Sequence, residues 1–256
     1  MSANNNGNGI AYIRNLWGKY ADIGYVDNAY KVRTTQEFGA GIESVLVECE
    51  GGTIIDLGGG AGGLLEKTRQ KTHADKVILV DWCPEMLSGA KKVAEKLGED
   101  GTKFDFATVD LCNSLPFRDN SFEGAICNLV IHFLPKGWKF PLKEFHRILK
   151  PGGYLYLGVF LNKWNFAGAT WRYALRAAAK DPIGTLRYGI RFKNIAEEIT
   201  KKARERGAEF PSKDSLISFL VELGFEDIIS TEDITSKPLL WGAGLVLRAR
   251  KRGAPF

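Results

Sequence analysis

The sequence has few of the residues that build metal centres and disulfide scaffolds. Its 256 residues contain only four cysteines and three histidines, and none of them forms a C-x-x-C or H-x-x-x-H spacing. Structural metal sites and disulfide frameworks depend on such spacings. We therefore expect no metal ion and four reduced, structural thiols.

Long hydrophobic runs are also missing. The uncharged apolar stretches Gly124–Pro135 and Pro151–Asn162 span 12 residues each, whereas a membrane-spanning helix needs roughly 20 apolar residues. The Asn-rich residues Met1–Gly9 have neither the basic start nor the apolar core of a signal peptide. The sequence predicts a flexible N-terminal tail on a cytoplasmic protein.

The excess of basic charge lies in one segment. The net charge is +5, yet Leu161–Lys193 alone holds seven basic residues against the single acid Asp181. The remainder of the chain is therefore close to neutral, which excludes a uniformly basic coat for nucleic acid. The basic segment needs its own explanation.

From Thr53 onwards, apolar β-rich stretches alternate with amphipathic helices. This alternation is typical of parallel βαβ units, and it predicts one α/β domain with a doubly wound sheet and helices on both faces. The predicted strands are Thr53–Leu57, Lys76–Val80, Lys103–Val109, Gly124–Ile131, Tyr154–Phe160, Phe225–Thr231 and Trp241–Arg248. The predicted helices lie near Gly62–Lys71, over Pro84–Leu97, around Leu142–Leu149 and from Ser212 to Gly224.

The pattern divides the chain into four parts. Residues 1–52 hold the tail and N-terminal helices, and residues 53–160 form the core of the sheet. A helical insertion occupies residues 161–210, after the fifth strand. Residues 211–256 add a helix and strands that complete the core sheet.

A glycine-rich loop joins the first strand to its helix, where residues 54–63 read IIDLGGGAGG. Glycines allow a tight turn and let a ligand approach the backbone beside a helix N-terminus. Asp56, Asp81 and Asp110 end the first three strands, so three carboxylates converge on one crevice. They would repel a pyrophosphate and attract a ligand with ammonium and sulfonium groups. A cationic nucleoside is therefore favoured over a nicotinamide dinucleotide, although the loop also fits G-x-G-x-x-G.

The motif Asp56-x-Gly58-x-Gly60-x-Gly62 resembles the first motif of the class I S-adenosylmethionine-dependent methyltransferases. Later motifs of that family are similar to Val80–Leu87, Val109–Leu111, Leu115–Glu123 and His146–Gly153. The resemblance implies a Rossmann-like sheet of about seven strands with the last strand antiparallel. It also implies S-adenosyl-L-methionine as cofactor and S-adenosyl-L-homocysteine as product.

The resemblance assigns roles to individual residues. Asp81 would bind the ribose hydroxyls, Trp82 would pack on the adenine, and Asp110 would meet the adenine amino group. Leu16–Asp22, followed by Tyr25, is similar to the N-terminal segment that closes over the cofactor in many of these enzymes. The cofactor site that we predict comprises Tyr20, Asp56, Gly58, Gly60, Gly62, Asp81, Trp82, Met86, Asp110, Leu111 and Asn128.

Several of these residues also have a purely structural interpretation. Asp56 can cap the loop, and Trp82 can fill the core. His132 follows the fourth strand, where acceptors bind in such folds, so it is our candidate general base; a structural histidine is the alternative. Asn128 can orient a substrate or bond the backbone.

The insertion carries an apolar stripe that includes Trp164 and Trp171, with Arg172 and Arg176 beside it. With Tyr25, these residues form a predicted lid over an apolar acceptor. A helix resting on anionic lipid and a plain surface helix are the two alternatives.

The sequence thus predicts an enzyme that methylates a small, lipophilic acceptor such as a quinol, phenol, lipid or other secondary metabolite. The layout of Phe210–Phe225 resembles the ubiquinone/menaquinone C-methyltransferase branch, which implies a quinol-type acceptor. An RNA methyltransferase is the alternative, favoured by the basic segment and by Arg248–Arg252. An NAD(P)-dependent oxidoreductase and a cofactor-binding sensor are further alternatives. The expected partner is the small-molecule acceptor, with peripheral contact to an anionic membrane as a variant; nucleic acid is not expected, and no oligomeric state is predicted.

Overall fold

A computed structural model describes residues 15–19, 33–49, 51–98, 101–135, 137–162, 197–235 and 239–253. Seven strands form one sheet in the order β3-β2-β1-β4-β5-β7-β6. The first five strands pair in parallel, and β7 is antiparallel to both of its neighbours. The strands are β1 (Thr53–Leu57), β2 (Lys76–Asp81), β3 (Lys103–Thr108), β4 (Phe122–Asn128), β5 (Leu149–Phe160), β6 (Phe225–Ser230) and β7 (Gly244–Lys251).

Helices connect the strands and cover the sheet. They are α1 (Arg33–Val45), α2 (Leu65–Thr72), α3 (Pro84–Leu97), α4 (Lys139–Ile148), α5 (Lys213–Glu222) and α6 (Thr231–Thr235). Single 3-10 turns lie at Ile131–Phe133 and Leu239–Gly242, and residues 15–19 and 197–204 are helical. The doubly wound α/β fold with an antiparallel last strand is therefore confirmed.

Local sequence signals account for the helices that were predicted most closely. Pro84 opens α3 at its first turn, and Gly98 ends it with a φ of 68°. Ser212 caps α5 by accepting a hydrogen bond from the backbone of Ser215, whose hydroxyl in turn accepts from the Ser212 amide. Both helices have the predicted start.

The strands β4, β5 and β7 differ most from the prediction. Strand β5 begins at Leu149, because Leu149 pairs with Phe122 across an irregularity that absorbs the Pro-Gly-Gly sequence. Strand β4 stops at Asn128, because the next residue, Leu129, adopts a φ of 62° and turns the chain. Strand β7 begins at Gly244, after a 3-10 turn that ends at Gly242 with a φ of 82°.

Apolar side chains fill both faces of the sheet. Consecutive residues of β1 alternate between them, so Ile54 packs in the cluster with Phe38 of α1, and Ile55 packs in the cluster with Phe145 of α4. Among the described helices, none is long and apolar enough to cross a membrane. Because both faces are covered, the carboxyl ends of β1 to β5 are left as the place for a site.

Candidate active site

The glycine loop leaves one position open above its backbone. Gly58, Gly60 and Gly62 have φ values of 76°, 55° and 81°, a region that favours glycine. A Cβ on Gly58 would lie 2.6 Å from Val130, and one on Gly62 would lie 2.9 Å from Leu65, so packing also requires these two glycines. Within the described chain, nothing lies within 4 Å of a Cβ placed on Gly60. A ligand can therefore approach the backbone at Gly60.

The carboxyl group of Asp56 is buried beside this loop. The residue is 1% exposed, and its Oδ2 atom has no hydrogen-bond partner among the described residues. Oδ2 lies 2.6 Å from the position of a Cβ on Gly59, so glycine is needed there. Burial and the negative charge of Asp81 raise the pKa of the Asp56 carboxyl to about 7. An unpaired buried carboxyl fits a ligand that brings a hydrogen-bond donor or a positive charge.

Asp81 connects the end of β2 to the loop. Its Oδ2 accepts a 3.1 Å hydrogen bond from the Gly60 amide, and its Oδ1 accepts a 2.9 Å hydrogen bond from the Cys83 amide. Burial raises its pKa to about 6, although these hydrogen bonds act in the opposite direction. Each carboxylate oxygen has a second lone pair, so Asp81 can also accept hydrogen bonds from two ribose hydroxyls.

A small apolar cluster covers the end of β2, and we call it the edge cluster. It joins four segments of the chain: the 15–19 helix, the glycine loop, the start of α3 and the 197–204 helix. Trp82 is half-buried against it, and Met86 is part of it. Its buried members are Leu16, Ala61, Cys83, Met86 and Ile199, with Trp17, Trp82 and Phe133 packed around them.

The residues after β3 are held by hydrogen bonds and packing within the protein. Asp110 is half-buried, and its two oxygens accept 2.9 Å hydrogen bonds from the Cys112 amide and the Asn113 side chain. Leu111 is 5% exposed and belongs to the core cluster that contains Ile55. Direct contact of Asp110 and Leu111 with a cofactor stays a prediction.

Asn128 is the last residue of β4, and it carries an unpaired buried polar atom, as Asp56 does. Its Oδ1 is buried without a hydrogen-bond partner among the described residues. A Cβ on Gly158 of β5 would collide with this oxygen, so glycine at 158 makes room for it. The strained Leu129 is held by a 2.7 Å hydrogen bond from its amide to the Gly158 carbonyl. Strain of this kind persists where the surrounding structure imposes it.

His132 lies on the 3-10 turn after β4 and is fully buried. Neither ring nitrogen has a hydrogen-bond partner in the described chain. The imidazole is surrounded by Phe133, Phe160 and Phe210, whose ring centroids lie 4.3, 4.9 and 5.2 Å away. Burial lowers the pKa of His132 to about 3, so the ring is neutral and able to accept a hydrogen bond.

Sequence reasoning missed the aromatic side chains around His132. Phe160 and Phe210 come from the end of β5 and from the segment before α5, and only folding brings them to the β4 turn. The other predicted residues, Tyr20, Tyr25, Trp164, Trp171, Arg172 and Arg176, lie outside the described residues.

The site residues fit S-adenosylmethionine. The open backbone at Gly60 leaves room for a ligand, and the remaining lone pairs of Asp81 could accept hydrogen bonds from a ribose. The unpaired oxygen of Asp56 could accept one from an ammonium group. All three lie at the carboxyl ends of β1 and β2, where doubly wound sheets bind nucleotides.

Comparison with known proteins agrees with this geometry. Residues 55–157 match the family described as "Methyltransferase domain". An arsenite methyltransferase from Aquipseudomonas alcaligenes is 33% identical over 112 residues, which cover 42% of this chain and 32% of that protein. The match thus spans about a third of that relative's length.

Solved structures show the same fold. A Haloferax volcanii methyltransferase, solved in complex with the Trm112 methyltransferase activator, superposes with a TM-score of 0.65 at 18% identity, over 92% of this chain and 97% of that one. A Haemonchus contortus phosphoethanolamine N-methyltransferase with bound S-adenosylhomocysteine gives 0.55 at 16% identity, over 85% of this chain and 52% of that one. Residues 55–157 therefore match a methyltransferase domain in sequence, and the described chain has the fold of these solved methyltransferases.

Proposed function

We propose that this protein transfers the methyl group of S-adenosylmethionine to a small, largely apolar acceptor, and that His132 accepts the acceptor's proton. The observation that carries the proposal is the position of His132. A neutral imidazole with two unpaired nitrogens is buried among phenylalanines at the end of β4, one strand away from Asp56. Leaving a buried polar group unpaired costs about 1–3 kcal/mol, so an apolar residue would serve a purely structural role better.

The methyl donor supplies a sulfonium carbon that is open to displacement. The protein's task is then to hold the nucleophile in line with that carbon, about 3–3.5 Å away. Asp81 orients the ribose through its remaining lone pairs, and Asp56 attracts the ammonium group. Because the positive charge disperses during transfer, the dry surroundings that Phe133, Phe160 and Phe210 give to His132 favour the reaction.

Asn128 completes this arrangement from the same strand end. Its unpaired Oδ1 faces Gly158 of β5, near Phe38, which belongs to the same apolar cluster as Phe160. It can accept a hydrogen bond from the donor or from the acceptor. The predicted lid formed by Tyr25, Trp164, Trp171, Arg172 and Arg176, with Tyr20 over the cofactor, belongs to the same proposal. So does the finer expectation of a quinol-type acceptor or a membrane-bound one.

The basic C-terminal run offers little support for the RNA alternative. Arg250 bonds to Glu226 and Asp227 at 2.9 and 2.7 Å, and Arg252 pairs with Glu226. Lys251 donates to the carbonyls of His146 and Leu149, both at 2.8 Å. These cations are engaged within the fold, so they are poorly placed to bind phosphates.

An arsenite acceptor also finds no support in the described chain. Trivalent arsenic binds thiolates, and sites for such soft ions group several cysteines. All four cysteines are described, and none of them takes part in a group of three or more metal-binding side chains. Cys83 and Cys127 are moreover buried, and burial raises the pKa of each thiol, which disfavours the thiolate.

The test is methyl transfer from labelled S-adenosylmethionine to small-molecule and lipid extracts, followed by mass spectrometry, with total RNA as the competing substrate. We expect label in a small molecule. In the His132→Gln variant, transfer should fall by about 10²–10⁴-fold while cofactor affinity stays within about twofold. His146→Gln, which changes a half-buried histidine packed on Phe225, is the matched control. Label in RNA alone, or full activity of His132→Gln, would contradict the proposal.

A further inference from the structure

Phe210 differs from the other two phenylalanines around His132. Phe160 belongs to β5 and is 5% exposed, and Phe133 belongs to the 3-10 turn that carries His132 itself. Phe210 is half-buried and lies in the connection between the 197–204 helix and α5. A change in this connection could therefore move the Phe210 ring without disturbing the sheet.

Three contacts hold Phe210 in place. The guanidinium carbon of Arg204 lies 4.8 Å from the centre of the Phe210 ring, within the range of a cation–π interaction. The carbonyl of the next residue, Pro211, accepts a 2.9 Å hydrogen bond from the amide of Asn162, just after β5. Phe210 also packs edge-on against Phe133, at 6.1 Å and 84°. The ring therefore has a defined position over the imidazole.

The electrostatics around His132 indicate which kind of acceptor can bind beside the three phenylalanines. Burial alone lowers the pKa of His132, with no contribution from a described carboxylate or cation. A cationic acceptor would therefore enter a dry site that offers no described counter-charge, which is unfavourable. An uncharged aromatic acceptor gains edge-to-face contacts with the phenylalanines, and a hydroxyl on it can donate to the unpaired imidazole.

We propose that Phe210 determines acceptor specificity and that the acceptor is an uncharged hydroxyaromatic compound, with its ring against Phe210 and its hydroxyl donating to His132. This inference rests on the function proposed above. The hydroxyl oxygen forms a bond to the methyl carbon as the carbon–sulfur bond breaks and its electron pair stays on sulfur. The hydroxyl proton passes to His132, and the product is an aryl methyl ether. Because that proton becomes strongly acidic as the new bond forms, a weakly basic imidazole is sufficient.

The chain has three histidines, so nitrogen NMR of histidine-labelled protein resolves each imidazole. The full-length protein, saturated with S-adenosylhomocysteine, is titrated with 4-methylphenol, cyclohexanol or benzylamine. We expect 4-methylphenol to shift the His132 signals, which the His132→Gln variant identifies, and the other two probes to leave them unchanged. Phe210→Leu should weaken 4-methylphenol binding by about tenfold, because the stacking contact and its buried area are lost. S-adenosylhomocysteine affinity should stay unchanged.

Matched variants separate specificity from folding. Phe219→Leu makes the same change in the core beside Trp138, and it should leave 4-methylphenol binding intact. Arg204→Gln should weaken 4-methylphenol binding by roughly two- to fivefold, because the Phe210 ring loses its cation–π contact and is held less firmly. Arg206→Gln should leave 4-methylphenol binding unchanged. A His132 shift with benzylamine, no shift up to the solubility limit of 4-methylphenol, or wild-type affinity in Phe210→Leu would overturn this inference. Label transfer to a non-aromatic small molecule would then still support the proposed function.

Discussion

The negative charge of Asp81 raises the pKa of Asp56 across the ends of two neighbouring strands. Asp56 is fully buried, and burial alone already disfavours its charged form. Asp81 is itself buried and has a raised pKa. The two carboxyl groups therefore repel each other in the absence of a ligand, and a positively charged ligand relieves that repulsion. The same pair would thus lower the stability of the free protein and, in the function proposed above, attract the cofactor.

Replacing Asp56 with Asn should stabilise the cofactor-free protein at pH 8. The folded-state pKa of about 7 lies above the ordinary value of 3.8 for an aspartate. The favourable contribution of the protonated group is therefore complete below that value and is lost as the pH rises through 7. The melting temperature of the wild type should fall from pH 5 to pH 8 more than that of Asp56→Asn. Asp105→Asn, on the exposed side of β3, is the control; an equal pH response in all three proteins would refute the expectation.

Cofactor binding should weaken as the pH falls through about 7 and then about 6, because Asp56 and Asp81 become protonated. Binding of the cationic donor at pH 6.5 should then release protons. Calorimetric titration in buffers of different ionisation enthalpy measures that release directly. If the observed enthalpy is the same in all buffers, the two carboxyl groups do not change protonation on binding.

Gly60→Ala should weaken cofactor binding more than it destabilises the fold. Alanine at a φ of 55° costs roughly 1–3 kcal/mol of strain, and its methyl group would extend into the open space above the loop. Gly152→Ala is a matched control, because Gly152 has a φ of 82° and likewise no described atom within 4 Å of its Cβ position. Both variants should lose similar stability by denaturant unfolding, but only Gly60→Ala should lose affinity for S-adenosylmethionine. Equal affinities would mean that the ligand does not approach Gly60.

His132→Phe should raise stability at low pH. The folded-state pKa of about 3 lies below the ordinary value of 6.5 for a histidine. The contribution of His132 to the stability of the wild type is therefore complete above pH 6.5 and is lost as the pH falls towards 3. Phenylalanine removes this loss and also removes two unpaired buried nitrogens. Urea unfolding at pH 5 and pH 8 should show a larger gain over wild type at pH 5. A gain of the same size at both pH values would indicate that the imidazole is not kept neutral by burial.

Gly158→Ala should displace Asn128, because a Cβ at 158 collides with the Asn128 side-chain oxygen. Methyl transfer should fall, and Gly158→Ala combined with Asn128→Ala should recover stability but not activity. Denaturant unfolding and labelled-methyl transfer of the single and double variants decide this. Recovery of activity in the double variant would exclude a role for the Asn128 amide.

Much of the fold was predictable because its signals are local. The proline and glycine that bound α3, the serine that caps α5 and the glycines after β1 act within a few residues of themselves. Short continuous apolar runs likewise mark the buried strands β1, β4 and β5. The predicted start of β5 was wrong because a partner strand decides it: Leu149 extends β5 by pairing with Phe122, a contact that no local pattern contains.

By itself, the sequence determined the order of strands and helices, the glycine loop and the three acidic strand ends, because each depends on residues that are close along the chain. Only the tertiary structure decided which of those acids carries an unpaired buried oxygen and which side chains surround His132. Burial and ring contacts depend on segments far apart in sequence: Phe160 and Phe210 reach His132 from β5 and from the connection before α5. The direction of a pKa shift depends on that same environment, so the neutral imidazole and the raised carboxyl pKa values are properties of the folded chain alone.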